Sequence, residues 1–245
     1  MRRIISLITS AALLATLIVA SLPAVASADT NTNCTLTGFS YGGITDMTAA
    51  VVDPSGAYNA TLDATGCDIG VYFGSNSGTV SGATISGANW FGVVVNGAAA
   101  DVTGARISDI GWVGIYYAAG SSGTVSGNAV SNYQKGGIVA NGTDASVTIG
   151  DNTVTGLGPG AVNAQNGIQV SRGASAVVTG NAISDNYYSG PYWSAAALLL
   201  FDVSANAVMT SANHFVDNQR NLLLVTAQAC PSMYGGVYDG SCVYP

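Results

Sequence analysis

The chain has 245 residues and thirteen acidic side chains, all aspartate, against six Lys and Arg and a single His. If residues 1–28 are removed as an export signal, 217 residues remain, with four basic side chains (Arg106, Lys135, Arg172, Arg220) and a formal charge of −9. That sign argues against nucleic acid and against an anionic membrane surface, both of which need clustered cations, and a 48% hydrophobic composition is too apolar for a disordered chain.

Taken from the start, Arg2 and Arg3 precede an apolar stretch that runs to Leu22, and Ala26-Ser27-Ala28 supplies a small-residue cleavage pattern. Ser6, Thr9, Ser10, Thr16 and Pro23 interrupt or end the stretch, which favours a cleaved signal over a retained anchor. Nothing later in the sequence is long and apolar enough to span a bilayer, so the expectation is a secreted, extracellular protein with no membrane association after cleavage. Residues 29–245 are long enough to bury a large core as one domain.

From residue 66 onward the chain repeats itself. The segments IGVYF, FGVVV, VGIYY, GGIVA, NGIQV, AALLL and RNLLL centre on Val71, Val93, Ile115, Ile138, Ile168, Leu198 and Leu222, at spacings of 22, 22, 23, 30, 30 and 24. A second unit follows each of the first six centres: GATIS, GARIS, GNAVS, DNTVT, GNAIS and ANHFV. Short β-prone runs separated by Gly, Asn, Ser and Asp read as strands joined by corners, and the scattered Gly and β-branched residues rule out helix. One such unit cannot bury its own apolar face, but stacked units make a continuous core. The centres and the residues two further on (Phe73, Val95, Tyr117, Ala140, Val170, Leu200) are expected to face inward, with the side chains between them facing out. Gly70, Gly92, Gly114, Gly137 and Gly167 form a column expected where the backbone needs unusual dihedrals or close approach.

The pattern Gly-Ile-x-Val followed by Gly-Asn-x-Ile-Ser resembles the right-handed parallel β-helix repeat family, which includes pectate-lyase-like solenoids, over about residues 66–225. The resemblance implies an all-β solenoid of about seven turns with capped ends. It also implies that Asn128, Asn152, Asn181 and Asn213, which share one slot filled earlier by Ala83 and Ala105, stack as a ladder bonding backbone groups of neighbouring turns. An elongated coil keeps its ends apart, so the four cysteines should pair as Cys34 with Cys67 and Cys230 with Cys242. Residues 226–245 are expected to cover the outward Leu199 and Leu223 and the last strand edge.

Two connections are longer than the others, between Gly156 and Ile168 and between Asp185 and Leu198, and both extend on one side of the coil, where solenoid binding surfaces commonly lie. Trp90 and Trp112 stand 22 apart and should stack, with Lys135 and Gln165 continuing the column and Tyr187, Tyr188, Tyr192 and Trp193 on the second long connection. Flat rings one rung apart suit sugar rings, so a polysaccharide is the expected partner and these residues the expected contacts; rings in a column also simply cover a corner. Asp185 and Asp217 share a slot in adjacent turns, about 5 Å apart by rung spacing, which fits the paired carboxylates of a retaining glycosidase. Against catalysis, Asp109, Asn132, Gly87 and Gly156 fill the same slot as plain turn residues. His214 has no partner pattern, no metal or cofactor motif is present, and four scattered cations make the polyuronate lyase chemistry of the resembled family unfavourable. The competing reading is a non-enzymatic envelope or surface-presentation module.

Overall fold

The computed structural model describes residues 29–30, 33–204 and 206–225. The expected export signal over residues 1–28, the expected pairing of Cys230 with Cys242 and the tail 226–245 lie outside the described residues. Within them no helix is long and apolar enough to cross a membrane.

Each turn of the chain visits three sheets. Ile69–Phe73 lies in sheet I, Gly78–Ser81 in sheet III and Thr84–Ser86 in sheet II, before Phe91–Val95 returns to sheet I one rung up. Repetition of this path gives sheets of nine, eight and seven strands. Among the described residues every pairing between strands is parallel except that of Thr35–Leu36 with Thr48–Val52. The expected register holds throughout: Val71, Val93, Ile115, Ile138, Ile168, Leu198 and Leu222 are successive partners. Sheet I also contains one winding beyond the expected seven, because Val51 of Thr48–Val52 pairs with Val71. Its Thr-Ala-Ala-Val-Val lacks the glycine that marks the later repeats, so the coil begins at 48 rather than 66.

The core follows the period-two alternation of the strands. Val71, Phe73, Val93, Val95, Ile115, Tyr117, Ile138, Ala140, Ile168 and Val170 pack inside the coil against Ile85, Ile107, Val130, Val154 and Ile183 of sheet II and Val80, Val102, Val125, Ile149 and Val178 of sheet III. The glycine column sits within the strands of sheet I, and close approach alone explains it. A Cβ on Gly92 would lie 2.6 Å from the Gly114 carbonyl oxygen and 2.6 Å from Ile107 Cγ2, so any side chain there collides with the next rung.

The Asn ladder is present as the resemblance implied. Asn128, Asn152 and Asn181 are buried. The Nδ2 of each donates to the Oδ1 of the next, at 2.9, 2.8 and 2.9 Å ending on Asn213, and each of the three also donates to a strand carbonyl, from Val102, Val125 and Ile149. The backbone N–H of Ala105 donates to Asn128 Oδ1, so the last alanine of the column is served by the first asparagine.

The outer side of sheet I is covered, which the alternation alone does not predict. Tyr72, Val94, Tyr116 and Val139 point away from the core, yet all are buried with Phe39, Met47, Ile69, Phe91 and Val113 in a second apolar cluster. Residues 37–47 supply the cover: the Phe39 ring centroid is 6.2, 6.1 and 6.2 Å from those of Tyr72, Phe91 and Tyr116, and Tyr41 stands edge-on to Phe91 at 5.1 Å. The expected disulfide joins Cys34 to Cys67 with Cα atoms 5.5 Å apart and ties this segment to the coil. Farther along, Leu199 and Leu223 are also buried, with Ala196, Phe201 and Val225 in a third cluster against which Trp193 packs.

Candidate functional site

The connections from sheet II to sheet I form one corner of the coil, and the candidate catalytic and sugar-binding residues lie on or beside it. In five turns the corner begins with a residue in the left-handed region, Gly87 (φ 81°), Asp109 (57°), Asn132 (50°), Asp185 (59°) and Asp217 (50°), whereas Gly156 in the same slot does not adopt it. Gly, Asn and Asp tolerate that conformation better than other residues, and this accounts for the residue types in the slot without reference to chemistry. Asp185 and Asp217 are adjacent here, since Ser184 pairs with Val216; Asp185 is half-buried and Asp217 exposed.

The residues after these two aspartates do what the sequence did not suggest. Asn186 and Asn218 make a second, shorter ladder, with Asn186 Nδ2 donating to Asn218 Oδ1 at 2.9 Å and the Asn186 N–H to the same oxygen at 3.1 Å. Asn218 Nδ2 donates in turn to the Ile183 carbonyl. The buried Tyr133 hydroxyl donates to Asn186 Oδ1 at 2.6 Å, and burial pushes this phenol well above its usual range. The repeated Asp-Asn pair, 32 residues apart, was the available signal.

Trp90 and Trp112 are neighbours in adjacent turns, with ring centroids 5.6 Å apart, but their planes are tilted by 56° rather than stacked face to face. They are half-buried and pack against the cluster under residues 37–47, and Trp112 Nε1 lies 3.5 Å from the Tyr41 hydroxyl. Lys135, expected among the surface contacts, is buried at 5% exposure, and its ammonium donates to the Ala164 carbonyl at 2.9 Å. Gln165 is fully buried, accepts from the Leu157 N–H at 2.8 Å and donates to the Tyr133 carbonyl. This column therefore runs from partly exposed rings into polar braces that hold the first long connection.

That connection contains the short 3-10 helix Gly158–Gly160. The second runs from Asp185 to the strand Ala196–Phe201 and is braced similarly, with Gln219 Oε1 accepting from the Ala195 N–H at 2.8 Å. The two long connections touch, because the Ser189 hydroxyl donates to the Pro159 carbonyl. Tyr187 and Tyr188 are half-buried, Trp193 is half-buried against Leu199 and Leu223, and Tyr192 stands 69% exposed. His214 is exposed on the outer side of sheet II, paired with Ala182. No group of three or more His, Cys, Asp or Glu side chains suited to a metal ion occurs among the described residues.

A family model described as the right-handed beta helix region matches residues 26–161 and 57–235. No curated protein and no solved structure matches the chain significantly. With matches spanning most of its length and three parallel sheets wound in register, the chain belongs to the right-handed β-helix family.

Proposed function

We propose that this β-helix is an exported protein that binds a neutral polysaccharide through the corner formed by its two long connections. The observation that carries this reading is the shared position of those connections: they lie in neighbouring turns, touch through Ser189 and Pro159, are pinned by Gln165 and Gln219, and leave Tyr192 in solvent with Tyr187, Tyr188 and Trp193 beside it. Braced loops lose little freedom when a ligand arrives, which favours binding, and an exposed phenol offers both a flat apolar face and a hydrogen-bonding tip. Two acidic side chains, Asp185 and Asp217, stand at the same corner and disfavour anionic sugars such as uronates. Because the left-handed corner itself accounts for both aspartates, the reading is binding without cleavage.

The purified chain from residue 29 onward, screened on a glycan array, is expected to retain neutral glycans and to lose them in Tyr192→Ala, which removes an exposed ring and leaves the packed residues intact. Asp185→Asn and Asp217→Asn are expected to bind as the parent does, with no reducing sugar released by any of the three proteins. Release of reducing sugar that either Asn variant abolishes would reinstate the paired-acid reading. The half-buried Trp90–Trp112 pair, committed to packing under residues 37–47, favours a second reading, a structural module that presents its surface in the cell envelope. A blank array for the parent protein would support that reading.

A further inference from the structure

The outer face of sheet III changes character along the coil. Thr79, Asp101, Thr124 and Thr148 hold one outward place in successive turns, all of them polar, and then Val177 and Met209 take it. Val177 is half-buried, whereas Met209 stands 64% exposed on its strand. A single exposed apolar side chain is ordinary. Here, however, Met209 forms one side of a cleft, and methionine adapts its flexible thioether to whatever lies against it.

The cleft has a volume of about 220 Å³ and is lined by Ser146, Thr148, Ser175, Val177, Asn206 and Met209, among others. Its floor is the start of the strands Ser146–Gly150 and Ser175–Thr179, and its wall is Asn206 and Ala207, just before Val208–Ser211. The wall exists because this turn takes a longer step from sheet I to sheet III: eight residues from Leu200 to Val208, against six between their partners Val170 and Ala176. Extra length on one face of a solenoid commonly builds a binding surface. The wall is also braced. The Ala207 N–H donates to the Ser204 carbonyl at 3.0 Å, and the Ala207 carbonyl accepts from the Ala176 N–H at 2.9 Å, so little freedom is lost when a ligand enters.

We propose that this cleft is a binding site in its own right, which takes a single neutral sugar unit. Every residue lining it is uncharged, so an ionic ligand would give up hydration with no opposite charge to replace it. Val177 and Met209 offer an apolar flank, while the exposed hydroxyls of Ser146 and Thr148 and the exposed amide of Asn206 offer donors and acceptors. The half-buried Ser175 hydroxyl donates to the Ala145 carbonyl at 3.3 Å, which leaves its oxygen turned to accepting. A sugar ring has the matching two sides, a C–H face and a hydroxyl rim. The volume lies below the roughly 300–1,000 Å³ of sites for drug-sized ligands, which suits one ring rather than a chain laid along the face. The cleft is on sheet III, whereas Tyr192 is on a connection from sheet II to sheet I, so the two sites rest on separate observations.

Met209 is a reporter built into the cleft. With isotope-labelled methionine methyl groups in the full chain, titration with methyl β-glucoside and with N-acetylglucosamine should shift the Met209 resonance saturably, with a roughly millimolar midpoint for so few contacting atoms. The fully buried Met47 is the internal reference and should not move, and Met209→Leu assigns the signal. Thr148→Val and Asn206→Ala each remove a polar contact at an exposed place and should weaken binding about fivefold, while the Met47 resonance reports an intact core. Tyr192→Ala should titrate as the parent does. Saturation by one of the two sugars alone would support the proposal and set its preference. A Met209 resonance that neither sugar saturates, or an unchanged midpoint in both polar variants, would overturn it. Loss of the shift in Tyr192→Ala would overturn it too, because the response would then belong to the corner of the long connections.

Discussion

The asparagine ladder gives the sharpest prediction about stability. Asn152 is 1% exposed and its side chain makes four hydrogen bonds: Oδ1 accepts from the Asn128 N–H at 3.0 Å and from Asn128 Nδ2 at 2.9 Å, while Nδ2 donates to the Val125 carbonyl at 2.9 Å and to Asn181 Oδ1 at 2.8 Å. In Asn152→Ala the Asn128 N–H loses its acceptor in a buried place, at a cost of about 1–3 kcal/mol. The other three bonds have partners with a second contact, so each contributes about 0.5–1.5 kcal/mol. The expected loss is about 2.5–7.5 kcal/mol, among the larger effects of a single substitution. Asn213→Ala is the internal control, because Asn213 is only half-buried at the far end of the same ladder; it should lose about half as much. Urea unfolding followed by tryptophan fluorescence, with the Cys34–Cys67 disulfide intact, reads both variants. A loss below about 1 kcal/mol for Asn152→Ala, or equal losses for the two, would refute the view that the ladder is a cooperative series of buried bonds.

The glycine column predicts that Gly92→Ala is destabilising by about 1–3 kcal/mol or more, since the new methyl group has only the Gly114 backbone and Ile107 to displace. Gly160→Ala, where nothing lies within 4 Å, should be neutral within about 0.5 kcal/mol, and thermal unfolding of the pair tests the contrast. Burial raises the phenols of Tyr116, Tyr117 and Tyr133 above the usual range. A group whose folded pKa is raised stabilises the fold below its unfolded value, about 10 for tyrosine, and that stability drains away as pH climbs above it. Urea midpoints should therefore hold up to about pH 10 and fall beyond it, with these three phenols ionising only as the coil unfolds; complete phenolate absorbance at pH 11 with native near-ultraviolet dichroism would contradict this.

Much of the architecture is legible because one physical requirement is imposed repeatedly. Each rung must place Val, Ile or Leu at the centre of its sheet I strand, glycine one residue before it in most turns, and a turn-former at each corner, and this produces the column from Val71 to Leu222 and the slot from Asn128 to Asn213. What happens once cannot be found by sliding the chain against itself. Phe39, Tyr41 and Met47 have no counterpart one period away, so the cover over Tyr72, Val94 and Tyr116 is invisible until the strands are in place. The Thr48–Val52 winding is missed for a different reason: it does repeat the strand of Val71, but without the glycine that marks the later turns. At the corner, the aspartates drew attention as titratable groups, although their neighbours Asn186 and Asn218 hold the buried bonds. Sequence spacing places Trp90 above Trp112, but it does not distinguish rings offered to a ligand from rings packed under a cover, and Lys135 shows that a polar residue in such a column can turn inward.

The cover formed by residues 37–47 has a consequence for the order of assembly. In a plain solenoid each winding touches only its neighbours, so folding can begin anywhere and spread along the axis. Here Phe39 and Tyr41 rest on Tyr116, and their cluster extends to Val139, about a hundred residues downstream. A chain emerging from its N-terminus cannot seat these rings until the rung carrying Gly136–Asn141 exists to receive them. The early windings are thereby fused into one cooperative block that closes late and opens as a unit, while the windings beyond it remain free to fray one at a time.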